Sequence, residues 1–309
     1  MSTISHRFFE NAREVPEKIA VSCDGAAISY RVLASQVSKW SFAMRARGVS
    51  RGDHIGVLLP NSIEFVTLML AAADIGAVLV PLNTTLPPSA VAKAFRVSDV
   101  KHVVASSTLL ASLFGESSAD LSSIDGLWLA VGKAVGRAVS LGVLLAEYAP
   151  AAAPLMGAQP DDPYILTMTS GSTGDPKPII LTQRTKLNRA AAAIEMYAVT
   201  SADRTLAATP LYHSLAERLV LIPLLTGGTS VLMSRFSPSE WLRVVAEQAV
   251  SFTIAVSSQL NLLAALLVGA RVPDFESLRC VVSSSALLEA RIKEDLAAKL
   301  HCEFHESYG

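Results

Sequence analysis

The stretch Tyr164 to Ile180, YILTMTSGSTGDPKPII, concentrates the residue types that bind phosphate. An apolar strand, Tyr164 to Met168, runs into Thr169, Ser170, Gly171, Ser172, Thr173, Gly174, Asp175, Pro176 and Lys177. A second apolar strand resumes at Pro178 to Leu181. Hydroxyls and backbone N–H groups in such a stretch can wrap phosphate oxygens, and its glycines let the backbone approach closely. Lys177 adds a point charge. On composition alone a plain Gly/Ser turn between two strands competes with this reading. The Walker spacing is excluded because Pro176 stands where it needs glycine, and no GxGxxG fingerprint occurs.

Such a loop needs a buried sheet at both its ends, and the hydrophobic pattern supplies one. From Tyr30, the residues Leu33, Val37, Trp40 and Met44 fall at helical spacing, with Gly48 placed as the left-handed residue beyond the helix. Ile55 to Leu59 is apolar without alternation, as in a strand buried on both faces. Asn61 or Ser62 can cap a helix running to Gly76, and a strand (Val78 to Pro81), a helix (Pro88 to Val97) and a strand (His102 to Ala105) follow. The pattern weakens from Ser106 to Pro160, and the three prolines of Ala149 to Pro160 read as a connection. Beyond Pro163 the alternation resumes. Ser237, Pro238 and Glu240 predict a capping box. Phe252 to Val256 and Leu278 to Val282 read as strands, and Gln259 to Leu267 and Glu289 to Leu300 as helices. The fold class predicted is α/β, with two stacked, doubly wound subdomains built on mainly parallel sheets. Their expected spans are residues 1–160 and 161–309.

Composition bounds the function. A formal charge of −1 over 309 residues leaves no basic footprint for nucleic acid. With 51% hydrophobic and 17% charged residues, a disordered chain is excluded. Neither long apolar run spans a membrane cleanly: Asp74, Gly76 and Pro81 break Phe65 to Leu82, and Pro223, Gly227 and Gly228 break Leu219 to Met233. The N-terminus lacks the apolar core of a signal peptide. Cys23, Cys280 and Cys302 show no CxxC spacing, so a reduced cytoplasmic setting is expected.

TSGSTGDPK resembles the phosphate-binding signature of the adenylate-forming superfamily, which includes acyl- and aryl-CoA ligases, luciferases and peptide-synthetase adenylation domains. Further stretches resemble that family in its own order. AADIGAVLVPLN is similar to its AGAxxVPL motif, TPLYHSLAERL to PLFHxxG, LRCVVSSSALLEA to LRxxxSGGAPL, and HESYG to the start of YGxTE. The resemblance implies ATP and magnesium as cofactors and coenzyme A as co-substrate. It assigns the phosphates to Thr169, Ser170, Gly171, Ser172, Thr173, Gly174 and Lys177, with Thr169 also serving magnesium. It places Ser285, Ala286, Leu287, Glu306, Ser307 and Tyr308 around adenine, Tyr308 stacking on the base. His213 becomes the residue beside the substrate carboxylate; without the resemblance it reads as a structural histidine.

Amino-acid-activating relatives carry an aspartate where this chain has Tyr212, His213 and Ser214, so a fatty or aromatic acid is expected rather than an α-amino acid. The acid pocket is expected beside His213, completed by the Ser257–Ser258 turn and by Ser285 to Leu287, with an apolar floor from residues such as Leu260 and Ala286 and no buried acid. Ser170 to Lys177 is expected to be a loop between two strands, poorly ordered without nucleotide. Glu217 and Arg218 depart from the usual glycine; similar Glu-Arg pairs occur in long-chain acyl-CoA ligases, and a plain surface ion pair is the competing reading. Serines at 283–285 and Pro178 depart from glycines common in the family. Expected partners are a small carboxylic acid and a nucleotide, without nucleic acid or a membrane span, with homodimerisation left open. The chain ends at Gly309 inside the last motif, so it reads as a fragment lacking the C-terminal lid domain and inactive alone. A non-catalytic binding or scaffold remnant of the same fold is the alternative.

Overall fold

The structure is a computed structural model and describes residues 2–116, 120–149, 154–169, 177–268 and 275–307. The chain opens with α1 (Ile4–Glu14), the hairpin strands β1 (Ile19–Cys23) and β2 (Ala26–Ser29), and α2 (Tyr30–Ala46). β3 (His54–Leu58), α3 (Ile63–Ile75), β4 (Val78–Pro81), α4 (Pro88–Val97), β5 (Val100–Ser106) and α5 (Ser107–Gly115) then alternate. Next come β6 (Trp128–Val131), β7 (Val139–Ser140), α6 (Leu141–Ala146), and the paired β8 (Pro163–Thr169) and β9 (Lys177–Thr182). The remainder is α7 (Gln183–Met196), β10 (Arg204–Ala207), α8 (Ser214–Thr226), β11 (Thr229–Leu232), α9 (Pro238–Glu247) and β12 (Phe252–Val256). It closes with α10 (Ser257–Leu266), β13 (Cys280–Ser284), α11 (Ala290–Leu300) and β14 (Glu303–Ser307).

Local chemistry sets many of these boundaries. The Ser62 side chain accepts the Phe65 N–H at 3.2 Å and starts α3. Gly76, at φ 84°, ends the helix with its N–H on the Ala72 carbonyl. Every residue from Phe65 to Ile75 is buried, which fits a segment whose only polar members are Thr67 and Asp74. Among the described residues no helix is long and apolar enough to cross a membrane. Ser237 caps α9 through the Glu240 N–H, behind Pro238 in the first turn. The weak stretch after Ser106 nonetheless adds β6 beside β5, with Val104 opposite Leu129, and β7 beside β6.

Two sheets result. The first runs β7-β6-β5-β3-β4-β8-β9 and is parallel except for β8 with β9. The second runs β14-β13-β12-β10-β11-β1-β2 and is parallel except for β1 with β2. In each, the five successive parallel strands take the spatial order 2-1-3-4-5. Connections therefore leave in opposite directions between β3 and β5, and again between β10 and β12. Open α/β sheets bind ligands at the carboxyl side of such points.

The chain divides into Met1–Glu14 with Arg31–Asn188, and Val15–Tyr30 with Arg189–Gly309. This differs from the expected boundary at residue 160 for two reasons. β8 hydrogen-bonds onto β4, Leu79 facing Ile165, so the β8–β9 pair belongs to the first unit. β1 lies beside β11, with Val21 opposite Ser230, which carries residues 15–30 into the second. Gln183 adds a tie inside the first unit, accepting the Ile4 N–H at 3.0 Å and donating to the Ala73 carbonyl at 2.9 Å.

Each unit has a packed core: Leu58, Val80, Phe95, Val103 and Trp128 in the first, and Leu206, Trp241, Leu260, Val281 and Leu296 in the second. Gly56 in β3 leaves no space for a side chain, since a Cβ there would fall 2.5 Å from Cε1 of the fully buried Phe95. Gly56→Ala is expected to destabilise the fold by about 1–3 kcal/mol through overpacking, measured by urea denaturation. A value near zero would mean that the Phe95 ring moves aside freely.

Asp53 and His102 give the first unit an acid-sensitive joint. Nδ1 of buried His102 accepts the Leu127 N–H at 2.9 Å, so Nε2 carries the proton and donates to Asp53 Oδ2 at 3.1 Å. Burial lowers the His102 pKa, and the Asp53 charge only partly opposes it. Burial works to raise the Asp53 pKa, but hydrogen bonds from His102, the Ser50 N–H and Lys101 outweigh it and hold it low. In both cases the unfolded chain binds the proton more tightly, so stability rises with pH. The His102 share is complete above its ordinary 6.5 and is lost as pH falls through the lower folded value. The Asp53 share is complete above 3.8 and is lost below it. The urea midpoint should therefore drop between pH 8 and pH 5, and His102→Asn should flatten that drop. An unchanged slope in the variant would rule the joint out.

Candidate active site

The second sheet gathers several candidate residues at its carboxyl edge. From Ala207 the chain leaves β10 through Thr209 and Pro210 to His213, the N-cap residue of α8. The His213 N–H donates to the Pro210 carbonyl at 3.0 Å, while its own carbonyl accepts the Ala216 N–H at 3.1 Å. Its ring packs on Tyr212 with centroids 4.3 Å apart and makes no cap hydrogen bond. The ring is exposed at the surface, yet enough protein surrounds it for desolvation to lower its pKa. At neutral pH it is therefore an uncharged imidazole, a hydrogen-bond donor rather than a cation.

Across the β10–β12 switch point, Gln259 ties the two carboxyl ends together. Its Oε1 accepts Thr209 Oγ1 at 3.2 Å and the Val256 N–H at 3.3 Å, and its Nε2 donates to the Ala208 carbonyl at 3.4 Å. The expected Ser257–Ser258 turn is instead the start of α10. Ser257 Oγ reaches the Ala286 carbonyl, the Ser284 carbonyl at 3.4 Å and Ser283 Oγ at 3.4 Å, pinning the turn after β13. In that turn Ser285 takes φ 80°, the left-handed region that favours glycine. Ser285, Ala286 and Leu287 are exposed. Glu306 and Ser307 lie beside Ser283 and Ser284 in the β13–β14 ladder, with Lys293 Nζ 3.6 Å from Glu306. Tyr308 lies outside the described residues.

In the first unit, the β8–β9 ladder closes on the pair Thr169 and Lys177, so Lys177 begins a strand instead of lying within the loop. β8 runs parallel to β4, which puts Thr169 at the carboxyl edge of the first sheet. Ser170, Gly171, Ser172, Thr173 and Gly174 lie outside the described residues, as do the side chains of Thr169 and Lys177. The expectation of an unliganded loop without fixed order falls on this segment.

Two expectations about the acid pocket need correction. Leu260 is wholly buried in the core with Leu206 and Val281, so it does not form a pocket floor. Nor is the neighbourhood of His213 free of buried acids, because Glu217, one helical turn along α8, is fully buried. Thr209, Gln259 and Glu217 were not singled out as members of this edge. For Gln259, a glutamine three residues after the end of a predicted strand was the available signal. Among the described residues no group of three His, Cys, Asp or Glu side chains is arranged to hold a metal ion. Magnesium keeps several waters and substrate phosphate ligands, so one or two protein oxygens suffice for it.

The model of the family described as AMP-binding enzyme matches residues 8–309. Over 289 residues the chain is 30% identical to a feruloyl-CoA synthase from Amycolatopsis sp, a match covering 93% of this chain and 54% of the synthase. It is 33% identical over 195 residues to the fatty acid–[acyl-carrier-protein] ligase MmaC of Mycobacterium marinum, covering 60% of this chain and 34% of the ligase. The chain thus spans about half the length of the synthase and a third of the ligase. Among solved structures, the inhibitor-bound N-terminal domain of FACL13 from Mycobacterium tuberculosis superposes with a TM-score of 0.89 at 24% identity. That likeness covers 100% of this chain and 76% of the other, and it shows the fold.

Proposed function

The chain belongs to the AMP-binding enzyme family, and on that premise we propose that it serves ATP-dependent activation of a carboxylic acid. A carboxylate oxygen attacks the α-phosphorus of ATP, the bond to the bridging oxygen breaks, and pyrophosphate leaves. A thiol sulfur then attacks the acyl carbon of the adenylate, its proton goes to solvent, and AMP leaves. The carboxylate is a poor electrophile, and the mixed anhydride gives it a good leaving group. Such chemistry needs positioning and charge neutralisation more than acid–base catalysis.

The observation that carries the reading is the β8–β9 pair, which closes the TSGSTGDPK segment between Thr169 and Lys177 at a strand carboxyl end. Thr169, Ser170, Ser172, Thr173 and Lys177 would hold the phosphates. Magnesium, bound with them and Thr169, would offset charge as the α-phosphorus is attacked. His213 would donate to the substrate carboxylate and hold it for attack. Ser285 to Leu287, with Glu306 to Tyr308, would receive adenine. The relatives' names include both a CoA synthase and a carrier-protein ligase, so the acceptor is a phosphopantetheine-type thiol, with coenzyme A the first to test.

Isothermal titration with ATP and with a non-hydrolysable acyl-adenylate analogue tests the reading, joined by ATP–pyrophosphate exchange. Binding of both ligands with the analogue tighter is expected, and absence of binding by either would overturn it. The left-handed Ser285, placed where the family commonly has glycine, favours a second reading of a binding remnant. That remnant would bind the analogue in the titration and give no ATP–pyrophosphate exchange.

A further inference from the structure

β12 lies between β10 and β13 in the second sheet, and α10 begins directly beyond its last residue. Two residues in the first turn of that helix, Ser257 and Gln259, are polar yet buried, and each grips one neighbour of β12. They stand about 200° apart around the helix axis, so they leave it on opposite sides. Toward β10, Gln259 Oε1 accepts the Thr209 hydroxyl at 3.2 Å and its Nε2 donates to the Ala208 carbonyl at 3.4 Å. Thr209 is buried too, and from it the chain reaches His213 through a single turn, closed by the His213 N–H on the Pro210 carbonyl at 3.0 Å. Toward β13, Ser257 Oγ donates to the Ala286 carbonyl and lies 3.4 Å from Ser283 Oγ.

Packing of the helix on the sheet does not by itself require this chemistry, since apolar side chains would avoid the desolvation of a buried hydroxyl and amide. The turns that the two residues hold are exposed: His213 ends one, and Ser285, Ala286 and Leu287 form the other. An exposed turn moves unless it is bonded from beneath, whereas a binding group has to be held within about 0.5 Å of its working position. Ser285, at φ 80°, takes a conformation that such a hold has to maintain. Gln259 is fixed in its turn, because Oε1 also accepts the Val256 N–H at 3.3 Å at the start of its own helix.

We propose that the first turn of α10 positions both halves of the candidate site: Gln259 holds the turn that presents His213 to the acid, and Ser257 holds the turn that receives adenine. Both are positioning residues, each acting through the turn to which it bonds. The assignment of acid and adenine to the two turns rests on the adenylation reading; the two-sided bracing does not. Because the residues face opposite neighbours of β12, their loss should be felt on different halves of an acyl-adenylate.

The test is isothermal titration of this chain with ATP and with acylsulfamoyl-adenosines carrying a feruloyl or a dodecanoyl group. Gln259→Leu and Thr209→Val remove one contact from its two ends with little change of shape, and Ser257→Ala removes the other contact. Gln259→Leu and Thr209→Val should each weaken the tighter analogue about tenfold, as expected for one or two lost hydrogen bonds, and leave ATP within about twofold. The double variant should bind no more weakly than Gln259→Leu, because the pair acts as one unit. Ser257→Ala should weaken ATP and the analogue by the same factor, about fivefold or more, so that the ratio of the two affinities holds. Equal weakening of both ligands by Gln259→Leu and Thr209→Val would make their contact merely structural and overturn the proposal. Unchanged affinities in either set of variants would overturn it as well. Failure of the adenylation reading is seen separately, as absence of ATP and analogue binding by the unaltered chain. The bracing is then decided without ligand, by the His213 imidazole signals in heteronuclear NMR. Gln259→Leu should shift them and Ser257→Ala should not; signals unmoved by Gln259→Leu would overturn the bracing too.

Discussion

Lys177→Ala should lower the affinity of this chain for ATP by roughly ten- to a hundredfold in isothermal titration, with its circular dichroism unchanged. That range is the worth of one or two charge-assisted hydrogen bonds to phosphate. The fold should tolerate the change because Lys177 is the first residue of β9, and its backbone pairing with Thr169 needs no side chain. Lys177→Arg should recover part of the affinity, since charge is kept while the point contact becomes a fork. Where the protein turns over, the same variant should slow ATP–pyrophosphate exchange further, because charge develops on the leaving phosphates in the transition state. Equal ATP affinity in variant and parent would leave TSGSTGDPK as an ordinary strand-linking turn.

His213→Ala should slow adenylate formation by roughly a hundredfold while leaving ATP affinity within a factor of two or so. Desolvation keeps the ring neutral at pH 7, so its contribution is a directed N–H rather than a positive charge. The exchange rate should then be flat from pH 7 to pH 9, and His213→Asn, which keeps a donor, should retain more activity than the alanine variant. A loss that falls on ATP binding instead would move His213 to the nucleotide. No loss at all would return it to the role of an ordinary N-cap residue packed on Tyr212.

Most helices and strands were legible because their signals are local. Ser62 and Gly76 mark the ends of α3 by side-chain capping and a left-handed turn, both decided within a few residues. Val78–Pro81, Pro88–Val97 and Phe252–Val256 fall where the apolar runs put them. The short β6 and β7 were missed, since strands of four and two residues carry too little pattern to read.

The candidate site was legible to a different depth at each residue. The TSGSTGDPK segment stood out because its chemistry lies in consecutive residues. Gln259 did not, because its role is to join Thr209 and Ala208 to the start of α10 across 50 residues of chain. Serine at 285 was noticed as a departure from glycine, but only the backbone shows why glycine would suit: φ there is 80°. For Glu217 and Arg218 a surface ion pair was the plain reading, whereas the structure buries Glu217 completely and leaves Arg218 half-buried.

The α/β class, the cap positions and the standing-out of the TSGSTGDPK segment were determined by the sequence alone, because propensity, capping and side-chain chemistry act over one or two turns of chain. Which strands pair was decided only in the tertiary structure. β8 joining β4 and β1 joining β11 placed the division of the chain away from its proline-rich connection. Strand partners are chosen by hydrogen bonding and packing between segments up to 210 residues apart, and no local pattern encodes that choice.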